Sequence, residues 1–281
     1  MNRQRADRLA TGLITAVAAL VVIPVILVIV FLVWNGLSAL SWEFLTAAPR
    51  NGMKEGGIMP AILGTLLLTF ATAIAAFPLA ILAAIYLAEY AGDTRLTRWV
   101  RLAIVNLAGI PSIVYGLFGL GMFVLFLGLG TSIVAGALTL GLLTLPVVIS
   151  TSEEAILSVP QSFRLVSYSL GATKWQTIRH QVLPHALPGI LTGIILGLGR
   201  AAGETAPILF TVAAFYLPEL PGSIFDQTMA LPYHLYVIVT QVPGMPPEFQ
   251  YGTALVLLVL VLSLNLAATL IRSRFRRQRE W

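Results

Sequence analysis

The sequence predicts an all-α polytopic membrane protein with six transmembrane helices, on three observations. First, 58% of the 281 residues are hydrophobic and 10% are charged, with mean hydropathy +0.90, against roughly 45–50% apolar and 25% charged in soluble domains. Second, six apolar runs reach the roughly 17–25 residues that cross about 30 Å of hydrocarbon. Third, lysines and arginines collect on one side of those runs, as the positive-inside rule requires of a membrane protein.

Taken in order, the spans are expected near residues 9–34, 60–88, 101–127, 133–149, 187–215 and 251–271. Arg3, Arg5 and Arg8 precede the first run. That run far exceeds the usual 7–15-residue core of a signal peptide, so it reads as a retained helix. With six spans both ends lie on one side. The N-terminus, the 89–101 and 150–186 connections and the C-terminus hold three, three, three and five Lys/Arg, while the opposite side has only Arg50 and Lys54. Both termini are therefore placed in the cytoplasm.

The connections 35–59 and 216–250 then lie outside. Within the second, MALPYHLYVIVTQ (229–241) is too short to span and reads as a re-entrant or interfacial helix, with Tyr233 and Tyr236 suited to headgroup level. The chain reads as one transmembrane domain over 1–281, with a cytoplasmic loop over 155–186 between spans four and five.

Several function classes are excluded or disfavoured. The chain has no cysteine, so thiolate metal sites and cysteine nucleophiles are absent. His180, His185 and His234 form no HExxH-type ligand spacing, and no GxxxxGK[ST] phosphate loop occurs. The net charge of +5 and the basic end RSRFRRQREW read as a topological anchor at anionic lipid rather than a nucleic-acid arm.

The cytoplasmic segment SVPQSFRLVSYSLGATKWQTIRHQVLP (158–184) reads as two short helices. Ser158 with Gln161, and Thr173 with Gln176, fit capping boxes. Gly171 sits where a left-handed residue ends the first helix, and Pro184 is expected to stop the second. Phe163, Val166 and Leu170 share one face; Trp175, Ile178 and Val182 share another. From the residues alone this is either a hairpin packed on its own bundle or a docking element.

GRAAGETAPILF (199–210) places Arg200 and Glu204 inside the fifth apolar run, where one charge costs about 2.5–3.5 kcal/mol at the helix centre on insertion scales. At 100° per residue Gly189, Gly193, Gly197, Arg200, Glu204, Pro207 and Thr211 form one small, polar stripe. Arg before Glu is the poorer order for an i,i+4 pair. Two readings stay open, a structural ion pair and a substrate-pathway or gating role. Ser112 and Tyr115 lie on a weaker polar face of the third span, where Pro111 frees backbone carbonyls. Thr65, Thr69 and Thr72 on the second span read as packing residues.

AGIPSIVYGLFGLG (108–121), the 159–190 segment, GRAAGETAP (199–207) and MALPYHLYVIVTQ together resemble the permease subunits of phosphate-specific ATP-binding-cassette importers, PstA type, over essentially the whole chain. Gly171, Leu183 and Pro184 match the loop signature of binding-protein-dependent permeases. Leu165, Val166 and Ser167 stand where that family has its EAA triplet, and Gln181 stands where isoleucine is usual.

The resemblance implies the type I importer permease fold and no covalent chemistry on this chain. It implies coupling contacts at Gly171, Ala172, Thr173, Trp175, Ile178, Leu183 and Pro184, and a pathway or gate at Arg200, Glu204, Ser112 and Tyr115. It also implies a PstC-type permease as heterodimer partner, two cytoplasmic ATPases that bind the ATP and magnesium, and an external phosphate-binding protein in a bacterial inner membrane. No cofactor is expected on this chain. The rivals are a permease for another oxyanion and a self-sufficient ion-coupled carrier. The latter often shows two related halves, and the sequence shows no convincing internal repeat.

Overall fold

The computed structural model describes residues 3–277, with side chains described from 11 to 274. The basic side chains at positions 3, 5 and 8, and those of the C-terminal end beyond Arg274, lie outside the described residues. Twelve helices order the described chain, and five are long and apolar enough to span a membrane, or six if one bent pair is counted as a single span.

Helix α1 (Arg3–Gly36) is followed by the short α2 (Trp42–Thr46) and a two-residue antiparallel hairpin, β1 (Pro49–Arg50) with β2 (Glu55–Gly56). Helix α3 (Met59–Ile85) starts with Pro60 in its first turn, where the missing amide is free of cost, and ends in a π-helical turn over Tyr86–Tyr90. Helix α4 (Arg95–Ala108) is capped by Thr94, whose Oγ1 accepts from the Thr97 amide at 3.2 Å. Helix α5 (Ser112–Gly119) follows and runs into a second π-helical stretch, Leu120–Phe126.

The third span is thus not one straight helix: α4 and α5 meet at 102°. Pro111 is the reason, since it lacks an amide and forces the preceding residue out of the helical region. Helix α6 (Ile133–Leu157) is capped by Ser132 and continues eight residues past the expected end at 149.

The hairpin consists of α7 (Gln161–Ser169) and α8 (Lys174–Thr177). The first capping box does not form. Ser158 ends α6 instead, and Pro160, which has no side-chain cap to offer, precedes α7. The second forms as expected: Thr173 Oγ1 accepts from the Gln176 amide and Gln176 Oε1 accepts from the Thr173 amide at 2.8 Å.

Pro184 does not stop the second hairpin helix. A π-helical turn over Ile178–Val182 carries it into α9 (Leu183–Gly203), with Pro184 in the first turn, where proline is tolerated. The fifth span then breaks. Glu204 is extended (φ −76°, ψ 135°) and α10 (Ala206–Thr211) begins with Pro207 in its first turn. Helix α11 (Leu231–Thr240) and the long α12 (Pro247–Arg277) complete the chain.

Helices α3, α6 and α9 pack together at the centre. Near the hairpin, Ala80, Ala84, Leu87, Val148, Ile156, Ile178 and Val182 form one core. Leu68, Leu140, Leu143, Ile208 and Val212 form a second; Phe44, Ile58, Met229 and Leu231 close the far end. Helix α1 presents exposed leucines, isoleucines and valines along its length, the pattern of a lipid-facing helix. It touches α12 where Gly36 leaves no room for a Cβ against the Tyr251 carbonyl.

Candidate translocation and coupling sites

Arg200 and Glu204 lie on either side of the break in the fifth span. Arg200 Nε donates to Glu204 Oε1 at 3.2 Å, and the side chains are 31% and 17% exposed. Because Glu204 has left the helix, the ordering rule for a continuous helix no longer applies. Arg200 sits in the last turn of α9, beside unpaired carbonyls and the negative end of the helix dipole, worth about 0.3–1 kcal/mol to a cation there. The stripe from Gly189 to Thr211 is correspondingly cut in two. Gly189, Gly193 and Gly197 still serve close packing: a Cβ on them would meet Ala155, Thr151 and Val148. Pro207 and Thr211 belong to α10 and are buried.

The break is backed by the third span. A Cβ on Gly116 would lie 2.9 Å from the Ala206 carbonyl oxygen, and one on Gly119 would strike Thr139 and Thr211. These glycines let α5 press against α10. Tyr115 adjoins Gly116, whose backbone packs against Ala206 and Pro207 just beyond Glu204. Tyr115 is 7% exposed and its hydroxyl donates to the Leu107 carbonyl at 2.8 Å. Ser112 is half-buried in the first turn of α5. The structure therefore brings Tyr115, Arg200 and Glu204 into one region where two spans are discontinuous. Non-helical backbone at membrane depth is tolerated where protein or water covers it, and half-helix ends are where anions and cations are held in transporters.

Thr65, Thr69 and Thr72 are buried and donate to carbonyls of their own helix. Thr65 Oγ1 also accepts from the Leu231 amide at 2.8 Å, capping α11. These are packing residues, as expected.

At the hairpin, Gly171 has φ +80° and open space around its Cα. Ala172 is half-buried, Thr173 is the cap, and Trp175 is 48% exposed. Ile178 is 1% exposed within the chain's own core, because the π-helical turn carries its side chain inward. It cannot be a surface contact in this conformation. Leu183 packs on the same core, and Pro184 is half-buried beside it. The face ascribed to Phe163, Val166 and Leu170 also divides: the Phe163 ring lies tilted against the His185 ring, 4.7 Å between centroids, while Val166 and Leu170 are exposed. Leu165, Val166, Leu170 and Trp175 make the hairpin tip apolar outside the membrane core, and an exposed apolar patch of this kind marks an interaction surface.

Sequence reading missed the ion pairs beneath the hairpin. Arg164 pairs with Glu89 at 2.6 Å, and Arg101 with Glu153 at 2.8 Å. The available signal was Glu89 at the end of an apolar run, in LAEYA.

A helical membrane protein with two broken spans and a projecting hairpin is the class these features define. The chain belongs to the family described as binding-protein-dependent transport system inner membrane components, whose model matches residues 76–278. It is 36% identical to the "Probable ABC transporter permease protein YqgI" of Bacillus subtilis, over 95% of each chain. It is 38% identical to the phosphate transport system permease protein PstA 1 of Mycobacterium tuberculosis, over 88% of this chain and 81% of that one. Its fold resembles that of a bacterial alginate ABC transporter, with TM-score 0.70, 16% identity and 96% of each chain covered. The chain is thus a multi-pass transport permease subunit, with the architecture of an ABC importer's membrane component.

Proposed function

We propose that this subunit carries inorganic phosphate inward across a bacterial cytoplasmic membrane, driven by ATP hydrolysis on separate chains. The Arg200–Glu204 pair at the break of α9 carries this reading, taken with the similarity to PstA permeases. A guanidinium is permanently charged and its planar fork donates two parallel hydrogen bonds to tetrahedral oxygens. Its present partner is a single carboxylate oxygen at the long end of hydrogen-bond range. Phosphate arriving from outside would compete for the fork, and Glu204 would hold the arginine between passages.

The partners in this reading are a PstC-type permease, two ATPases carrying ATP and magnesium, and an external phosphate-binding protein. Both termini face the cytoplasm, as the Lys/Arg distribution argues. The exposed tip around Gly171 and Trp175 docks on an ATPase, and closure of the ATPases moves the hairpin and, through it, the central helices. Phosphate uptake in proteoliposomes tests this. The complex should transport only with ATP on the hairpin side, whereas uptake by this chain alone under an ion gradient would make it a secondary carrier.

A further inference from the structure

All three nitrogens of the Arg164 guanidinium donate hydrogen bonds. Nε and Nη2 donate to Glu89 Oε1 at 3.0 and 2.6 Å, Nη1 donates to the Val159 carbonyl at 2.7 Å, and Nη2 also to the Ile156 carbonyl at 3.0 Å. Both side chains are nearly buried, 11% and 7% exposed. The residue belongs to α7, its carboxylate partner to the π-helical end of α3, and its carbonyl partners to the end of α6 and the turn after it. One side chain therefore ties the hairpin to two of the three central helices.

The same π-helical turn, Tyr86–Tyr90, receives two further ties. Arg101 of α4 donates to the Leu87 carbonyl at 3.0 Å while its Nε holds Glu153 of α6, and Lys174 of α8 lies 4.8 Å over the Tyr90 ring. Within the hairpin, the Ser167 and Thr177 hydroxyls meet at 2.8 Å, buried between α7 and α8. A surface hairpin resting on its bundle needs none of this. A buried ion pair is weak grounds for stability, because desolvation offsets most of the attraction. Its geometric requirement is strict, however: four donors aimed at three acceptors fix the orientation of α7 against α3 and α6.

We infer that Arg164 is a positioning residue for transport: with Glu89 it makes the hairpin and the Tyr86–Tyr90 end of the second span move as one body, so that displacement at the hairpin tip reaches the central helices. This rests on the docking of the hairpin on an ATPase proposed above. The tie is absent from the tip itself, so docking and transmission are separable.

The reconstituted complex tests it. In the double variant Arg164→Met with Glu89→Leu no buried charge is left unpaired. The complex should assemble, a crosslink from Trp175→Cys to the ATPase should persist, and ATP should still be hydrolysed, while phosphate moved per ATP falls about fivefold or more, the low end of ordinary coupling energies. Arg164→Lys should give an intermediate ratio, since an ammonium reaches the carboxylate but lacks the fork for both carbonyls. A wild-type ratio in the double variant would overturn the inference. An absent Trp175→Cys crosslink in otherwise native complex would count against the docking and, with it, against this role.

If the double variant does not assemble, the native pair itself decides. Spin labels at Gln161→Cys and Tyr86→Cys, both exposed positions, should keep one separation in the nucleotide-free and ATP-trapped states. A separation that changes between them would show two bodies where the inference requires one.

Discussion

The hydroxyl of Tyr115 donates to the backbone carbonyl of Leu107 at 2.8 Å, across the 102° bend in the third span. Pro111 removes a helix amide there, and the tyrosine adds a second donor to the Leu107 carbonyl, which also accepts from the Ile110 amide at 3.2 Å. This gives Tyr115 a structural duty beside any contact with substrate. Tyr115→Phe should destabilise the subunit by about 0.5–1.5 kcal/mol, the net worth of one hydrogen bond, since the Leu107 carbonyl keeps the Ile110 amide. Thermal unfolding of the purified complex checks the loss of stability. Unchanged stability with abolished uptake would instead make the hydroxyl a substrate group.

Gly171→Val should reduce both uptake and transport-stimulated ATP hydrolysis while the subunit still reaches the membrane. With φ at +80° and nothing within 4 Å of an added Cβ, the penalty is purely one of backbone conformation, about 1–2 kcal/mol and more for a branched side chain. Gly171→Ala should show the same defect more weakly. ATPase assays on the two variants give the order directly.

Gly64→Ala should cost more than Gly171→Ala in stability, although α3 is otherwise a favourable helix for alanine. A Cβ there would lie 1.9 Å from the Met229 carbonyl oxygen and 2.3 Å from Thr228 Oγ1. Backbone must shift, and overpacking of this kind costs about 1–3 kcal/mol. The shift would also pull the Leu231 amide from Thr65 Oγ1. A melting temperature equal to that of wild type would mean that the 228–231 segment is not held against α3.

Much of this was legible in the sequence. Composition and apolar runs define the helical membrane class, and Thr173, Gln176 and Gly171 mark the hairpin through local rules of capping and left-handed backbone. The two breaks were less legible. Gly109-Ile110-Pro111 and the Gly203 to Pro207 stretch carry the breaker residues, but each is flanked on both sides by apolar residues that together are long enough for one span, so each reads as unbroken. Pro184 shows the converse. It has the form of a stop and instead falls in the first turn of a continuing helix, because the π-helical turn before it rearranges the hydrogen bonding. Arg164 and Glu89 are 75 residues apart, and no local pattern joins them.

Orientation follows from charge alone, so it has its own check. Cysteines at Arg98→Cys and Leu170→Cys should react only with reagent supplied from the cytoplasm, and one at Gly222→Cys only from outside, in a chain with no native cysteine. Labelling of position 170 from outside would reverse the membrane sidedness and remove the hairpin from reach of any ATPase.

The central claim is that Arg200 serves phosphate passage rather than only balancing Glu204. Removing one member of the pair leaves an uncompensated charge in the membrane interior, whereas removing both leaves it neutral. Phosphate uptake by the reconstituted double variant Arg200→Gln with Glu204→Gln therefore tests the claim most directly. The complex is expected to assemble as wild type does and to show almost no ATP-driven uptake, because glutamine keeps hydrogen bonds but loses the charged fork. Uptake restored to the wild-type rate in that variant would show the pair to be structural and contradict the claim.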